Sequence, residues 1–445
     1  MTTTDPVATT VSKLARGLDD GLIPPALFGD ADVHAAELRR VFARSWLFLG
    51  LTDEVKEIGD YVLRRMGEDE VIMSRGADGE IHVLLNKCRH RGTIVCRDDQ
   101  GNSSHFRCPY HGWTYASDGS WTGAPKRPRA YRDLDPKQWG LLEARVEKRW
   151  GLVFACLDPS TPSFDDYAGD ALWYLEAFFG LDSRGLVSLG EPNRWSASTN
   201  WKSGAENFGG DNYHVATAHA SAVEIGVIPD PRDGNETNAQ FIAGPGHAFT
   251  ATAAFAPAYG LGPFGHSPEV WANFDQAHVD DSHLELHKTH YLFTGTFFPN
   301  FSVFRFLGAP TATGLIPIYL MLRVWQPDGP HKTEVWNWLC CYYAEPEEHR
   351  DGIYAAGLAI LGPAGLLEQD DMAIWEGSTV AGRSVMAETL DMRFNYQLGL
   401  GNMSVGGVVD TLAGPGQAHD KSYNESNQRA FMQHWLTMME TEINP

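Results

Sequence analysis

Apolar positions along the chain follow two different rhythms, and the change between them marks its organisation. Residues 31–46 (ADVHAAELRRVFARSW) place apolar side chains at helical spacing and predict an amphipathic helix. From about residue 46 to 160 the pattern shortens to β-like runs, YVLRRM, VIMSR, IHVLLN and WGLVFACL. Turn sequences such as GADGE and SDGS separate them, which predicts a small antiparallel β domain. DPSTPSFDD (158–166) reads as its boundary. Helical patterns follow at 171–180 and 198–219, then strand-like runs rich in β-branched and aromatic residues: THYLFTGTFF, NFSVFRF, LIPIYLMLRVW and EVWNWLCCYY. A helix is expected again over 363–385, opening with GPAG. The expected class is α+β, with a small all-β domain at 46–163 inserted into a larger domain of 1–45 and 164–445.

Composition changes this picture by exclusion. A length of 445 residues suits two domains, and a net charge of -22 excludes nucleic acid and anionic membrane as general partners. The N-terminus has no apolar h-region, and no run approaches the ~20 apolar residues of a membrane span. LIPIYLML (315–322) comes nearest and reads as a buried strand. Six cysteines, two of them adjacent, point to thiols or metal ligands and a cytoplasmic protein.

The first candidate chemistry is C-x-H (Cys88, His90), seventeen residues, then C-x-x-H (Cys108, His111). Each segment supplies one thiolate and one imidazole, the set a Rieske [2Fe–2S] cluster requires. A Cys2His2 zinc site is the alternative, although C-x-H is a narrow spacing for zinc. Gly92 and Gly112 follow the ligands and allow tight turns, and Trp113 either shields the cluster or simply packs. Cys96 is surplus to the set, and Cys156 reads as core.

The second lies in NWKSGAENFGGDNYHVATAHAS (200–221). Asp211 and His214 are about 300° apart on a helix and share a face, whereas His214 and His219 differ by about 140°. Both histidines can reach one ion only if the helix bends or ends between them. Two neutral imidazoles and one carboxylate suit Fe(II). GPAGLLEQDD (362–371) offers the carboxylate, although an acidic pair there is also an ordinary solvated helix turn.

CRHRG…CPYHGW, followed by D-x-x-H-x-x-x-x-H after E-N-x-x-G and then G-P-A-G-x-x-E-x-D-D, resembles the α subunits of Rieske ring-hydroxylating dioxygenases of the naphthalene and biphenyl type. The likeness runs from RSWLFLG (44–50) past Asp371. It implies a Rieske domain inserted into a helix-grip catalytic domain, with one [2Fe–2S] cluster and one Fe(II) per subunit. His214, His219 and Asp371 would bind the iron, Asp370 being the substitute acid. Asp211 would bridge His214 to His111 of the partner subunit, and Asn207 would stand with Asp211 as a catalytic residue. Phe208, Val215, Leu361 and Leu367 would line the substrate pocket. Leu361 and Leu367 depart from the bulky aromatics common in naphthalene-type relatives, which implies a differently shaped cavity.

The resemblance further implies addition of both atoms of O2 to an aromatic hydrocarbon, giving a cis-dihydrodiol. NAD(P)H would act through a separate reductase, with or without a ferredoxin. LGLGNM (398–403) has the wrong spacing to bind a dinucleotide itself. A small β subunit in an α3β3 assembly is implied, or α3 alone. Alternatives are an aromatic-carboxylate dioxygenase, a Rieske monooxygenase or O-demethylase, an electron-transfer protein, and a zinc-stabilised binding module. Arg305 and Arg323 interrupt apolar strands and read either as a carboxylate clamp or as the solvent face of a sheet. KRPRAYR (126–132) reads as a solvated loop or a dock for an acidic electron donor.

Overall fold

The computed structural model describes residues 6–227, 238–253, 262–276, 278–307, 316–401, 407–421 and 423–441. Phe42–Phe164 forms one compact unit, and the flanking segments, up to Val41 and from Asp165, form the other. The expected boundaries were residues 46 and 163.

The helix expected over 31–46 is shorter. α1 spans Ala31–Arg40, capped by Asp30, whose carboxylate accepts from Asp32 N–H (2.8 Å) and Val33 N–H (2.9 Å). Residues from Phe42 onward belong to the β unit instead, where Trp46 Nε1 donates to Pro162 O (3.1 Å). Tertiary contacts of that unit override a helical pattern that continues in sequence.

Within the β unit, short antiparallel strands carry the two ligand loops. β1 (Ile81–Leu85) leads into the Cys88 loop. β2 (His105–Arg107) and β3 (Thr114–Ala116) flank the Cys108 loop, and β4 (Trp121–Gly123) pairs with β3. The core beneath combines aliphatic residues such as Leu63 and Ile72 with Trp113, Tyr115 and Trp121.

The larger unit is built on an antiparallel sheet, ten-stranded among the described residues. Its centre is the meander β5 (His290–Phe297), β6 (Phe301–Leu307), β7 (Ile318–Pro327) and β8 (Thr333–Tyr342). β7 is buried along its whole length, so both sheet faces are covered. On one face lies α2 (Trp201–Gly210), where Thr296 Oγ1 donates to Ala205 O at 2.7 Å. A Cβ on Gly204 would stand 2.5 Å from the Trp325 ring, so only glycine lets this helix approach the sheet so closely. The opposite face is covered by the helix Ala171–Phe179. This is the helix-flanked antiparallel sheet the sequence led us to expect.

α2 is also tied to α1 and to the C-terminal helix α4 (Ser426–Glu440), with α3 (Glu368–Gly382) preceding the latter. Glu37, fully buried, forms an ion pair with Lys202 and accepts from Trp201 Nε1 (2.9 Å) and Trp435 Nε1 (2.8 Å). Glu37→Ala would leave a buried ammonium without its counter-charge. The expected loss is about 3–5 kcal/mol of stability, read as a lower urea midpoint. No helix among the described residues is long and apolar enough to cross a membrane.

Candidate functional site

Cys88 and Cys108 head two loops with the same hydrogen bonding. Cys88 O accepts from Gly92 N–H (2.8 Å) and Cys88 N–H donates to Thr93 O (2.8 Å). In the second loop Cys108 O accepts from Gly112 N–H (3.0 Å), and Cys108 N–H donates to Trp113 O (2.8 Å). Gly92 and Gly112 close these turns at φ 73° and 69°, in the left-handed region that favours glycine. The His90 and His111 rings lie 4.6 Å apart between centroids, and Trp113 stacks on His90 at 5.2 Å with 4° between planes.

Both cysteines are buried, and both histidine Nδ1 atoms are buried without a hydrogen-bond partner among the described residues. Atoms so placed call for a ligand. The four do not converge on one point: among the described residues the only such group of three or more His, Cys, Asp or Glu lies elsewhere. A single zinc ion needs convergence, whereas a two-iron cluster holds its thiolates and imidazoles on separate irons. The donor set and orphaned nitrogens fit the cluster.

One residue of this region was missed in the sequence. Buried Tyr115 places its hydroxyl 3.2 Å from Cys88 Sγ and accepts from Arg89 N–H at 3.0 Å. Hydrogen bonds to cluster sulfurs tune reduction potential. Its place two residues after Trp113, on the strand that leaves the Cys108 loop, was the available signal. Cys96 is buried with Sγ 3.7 Å from Asp98 O. In the basic run, Arg127 donates to Thr122 O (2.9 Å) and lies over the Trp121 ring, so it is partly structural.

In the larger unit the helix expected over 198–219 breaks twice. α2 ends at Gly210, Asp211 is non-helical (φ −95°, ψ 55°), a tight turn covers Asn212–His214, and Val215–Ala218 makes one further turn before His219. The change from the tight turn to the helical turn after His214, and the end of that turn at His219, bring the two imidazoles together. His214 Nε2, His219 Nε2 and Asp371 Oδ1 form a triangle with sides of 3.3, 3.3 and 3.5 Å. Its centre lies about 2 Å from each corner, the length of a metal–ligand bond.

The remaining histidine nitrogens are held from behind. His214 Nδ1 bonds to Asp211 O and lies 3.5 Å from Asp211 Oδ1. His219 Nδ1 is 3.3 Å from Asp370 Oδ2. Adjacent residues on a helix point about 100° apart. Asp371 therefore faces the triangle while Asp370 orients His219. Burial opposes charge on His214, yet hydrogen bonds to Asp211 and Asp371 prevail and push its pKa up to about 10. Burial also opposes charge on Asp371, and hydrogen bonds to His214 and His219 hold its pKa below the usual carboxylate range. The site is built to receive positive charge.

α3 delivers Asp371. It begins at Glu368 rather than at 363, because the N–H groups of Leu366 and Leu367 turn back to the last carbonyls of the preceding helix, Ala359 O (2.9 Å) and Ile360 O (3.1 Å). Glu368 is anchored by Arg323, which contacts Glu368 Oε2 (2.7 Å), Leu361 O (2.9 Å) and Asn337 Oδ1 (3.3 Å). Arg305 donates to Ala177 O (2.6 Å), Phe178 O (3.1 Å) and the Tyr342 hydroxyl (2.8 Å). Both arginines are fully buried, which corrects the solvent-face reading, and neither lines the cavity described next, which removes the clamp.

The triangle opens onto a cavity of about 520 Å³, counting its mouth. Asn207, Phe208, Val215, Leu361 and Leu367 line it. Phe293, Thr294, Phe304, Phe306 and Asn212 line it too and were missed. Phe304 and Phe306 alternate along β6 and were readable. Phe293 was not: Thr250 pairs with Thr294 and Ala251 with Leu292, so Phe293 is bulged out of register. The bulge lets consecutive residues face one cavity. A second, polar cavity of about 840 Å³ shares Asn207, His214 and Asp371 with the first and is lined by Glu206, Asp211 and Glu425. Burial pushes the Glu206 carboxyl up to about 8. Of LGLGNM, residues 402 and 403 lie outside the described residues.

Comparison with known proteins agrees with both halves. Residues 45–139 match the Rieske [2Fe–2S] domain, and residues 164–441 match the ring hydroxylating alpha subunit (catalytic domain). The chain is 40% identical over 439 residues to the N,N-dimethyl phenylurea N-demethylase subunit alpha of Sphingobium sp. (strain YBL2), covering 97% of this chain and 94% of that one. It is 32% identical to the biphenyl dioxygenase subunit alpha of Paraburkholderia xenovorans (strain LB400), covering 95% and 93%. Among solved structures, naphthalene 1,2-dioxygenase from Rhodococcus sp., bound to indole, superposes with a TM-score of 0.89 at 35% identity, covering 97% of each chain. With a family match over each unit and relatives along nearly its full length, the chain belongs to the Rieske ring-hydroxylating oxygenases, as an α subunit that carries a [2Fe–2S] cluster and a mononuclear iron.

Proposed function

We propose that this α subunit oxygenates a flat, largely apolar aromatic compound in the 520 Å³ cavity. Cys88, His90, Cys108 and His111 hold the cluster, and His214, His219 and Asp371 hold the iron. The observation that carries this reading is the ligand triangle opening directly onto a wall of Phe208, Phe304, Phe306 and Leu361. An iron held by these three residues would supply the activation of O2. The chain's own side chains exclude water around the substrate ring, and Asp211 and Asp370 fix the imidazole orientations.

Electrons come from NAD(P)H through a separate reductase, with or without a ferredoxin. Asp211, beside His214, would carry the path from the cluster of a neighbouring subunit. A trimer of α subunits, with a small β subunit as α3β3 or alone as α3, supplies that arrangement.

Two outcomes fit the same cavity. In dioxygenation, the activity in the names of the biphenyl and naphthalene relatives, both oxygen atoms would enter the ring as a cis-dihydrodiol, with two electrons and two protons supplied. In N-demethylation, named for the 40% identical relative, one atom enters the substrate, the other leaves as water, and the methyl departs as formaldehyde. An aromatic acid is disfavoured, because no Lys or Arg lines the cavity among the described residues.

Turnover under ¹⁸O2 with biphenyl and with N,N-dimethyl-N′-phenylurea separates the outcomes. Two labelled atoms in a diol identify dihydroxylation, and labelled water with formaldehyde identifies demethylation. Reduced, reconstituted enzyme that oxidises neither compound, nor naphthalene, would sink the aromatic reading.

A further inference from the structure

Besides the metal-ligand candidates, three polar side chains line the 520 Å³ cavity: Asn207, Asn212 and Thr294. Two are committed within the protein. Asn207 Nδ2 donates to Asp211 Oδ2 (3.3 Å), and the Thr294 hydroxyl is 2.7 Å from that of Thr250. Asn212 differs: its Nδ2 is buried and has no hydrogen-bond partner among the described residues. A buried amide donor at the edge of an otherwise apolar cavity is an unmet demand for an acceptor. The rest of the wall cannot supply one, being built from Phe293, Phe304, Phe306 and leucines.

Position makes this donor informative. Asn212 opens the turn Asn212–His214, so the chain fixes it two residues from a corner of the metal triangle. Whatever group it holds is presented beside the reacting centre. We infer that Asn212 determines specificity by donating a hydrogen bond to a carbonyl oxygen on the substrate, which is therefore an N-aryl urea or amide rather than a plain hydrocarbon. In an aryl-N,N-dimethylurea the carbonyl carbon bears the dimethylated nitrogen. Holding the oxygen therefore sets an N-methyl carbon close by, next to the triangle. A hydrocarbon would fill the apolar wall and leave the donor unpaired, and sites built to bond a polar group discriminate against analogues that lack it.

The inference rests on reading this cavity as the substrate site, and the test separates the two. N,N-Dimethyl-N′-phenylurea and biphenyl are titrated anaerobically into holoenzyme, wild type and two variants, with iron content measured on each. Asn212→Leu removes the donor at similar volume. Asn212→Asp keeps the shape and replaces the donor with an acceptor, so it serves if the leucine variant folds poorly. The urea Kd is expected to rise at least about tenfold more than the biphenyl Kd in both variants. Equal changes for both probes, or no change for the urea, would overturn the role of Asn212 and leave the cavity assignment standing. Wild-type enzyme that binds neither probe would overturn the cavity assignment, and this inference with it.

Discussion

Asp371→Ala is expected to empty the mononuclear site and reduce oxygenation at least about a hundredfold, with the cluster intact. The carboxylate supplies one corner of a triangle whose other corners are 3.3 and 3.5 Å away, and it is the only negative corner. Removing residues that merely orient metal ligands already costs about 10–100-fold in affinity or activity, and a ligand should cost more. Total iron per chain should fall from about three to about two, while the reduced cluster keeps its spectrum, because Cys88, His90, Cys108 and His111 all lie in the other unit. Asp370→Ala is the control. Asp370 contacts the rear nitrogen of His219, so its loss should weaken iron binding without abolishing it. Full iron retention in Asp371→Ala, with loss in Asp370→Ala, would reverse the assignment of the two acids.

The two acids show how far sequence reasoning reached. Spacing alone could state that the helix must bend or end between His214 and His219, and the chain changes from a tight turn to a short helical turn after His214 and leaves the helix at His219. It could also find both halves of C-x-H and C-x-x-H, because cluster ligands come from local loops whose glycines sit at fixed offsets. Features set by long-range packing were not readable. An arginine inside an apolar strand looks like the wet face of a sheet, yet Arg305 Nη2 bonds to carbonyls and Arg323 to a carboxylate and a carbonyl, all from elements far along the chain. Phe293 faces the cavity only because of a bulge, and a bulge depends on the partner strand as much as on its own sequence. Asn212 carries no signal in the sequence, because only the packing shows that its Nδ2 is buried without a partner among the described residues.

Asp211→Ala should leave both metal centres loaded and still slow turnover about a hundredfold. No ligand corner is lost in this variant, since Asp211 contributes no atom to the triangle. Part of the grip on His214 also survives, because the histidine's Nδ1 bonds to the backbone carbonyl of residue 211. What disappears is the carboxylate. Its Oδ2 is held by Asn207 at 3.3 Å, and its Oδ1 is buried and lies 3.5 Å from His214 Nδ1. A carboxylate so placed keeps the imidazole tautomer fixed and can bond a second imidazole beyond it, which is the bridge expected to the cluster of a neighbouring subunit. The two effects are separable in time. The electron donor should reduce the cluster of the variant at the normal rate, whereas reoxidation of that cluster with substrate and O2 present should slow about a hundredfold. Asp211→Asn, which keeps the shape but loses the charge, should fall between the variant and wild type. Cluster reoxidation in Asp211→Ala at the wild-type rate would mean that electrons reach the iron by a path that does not pass this residue.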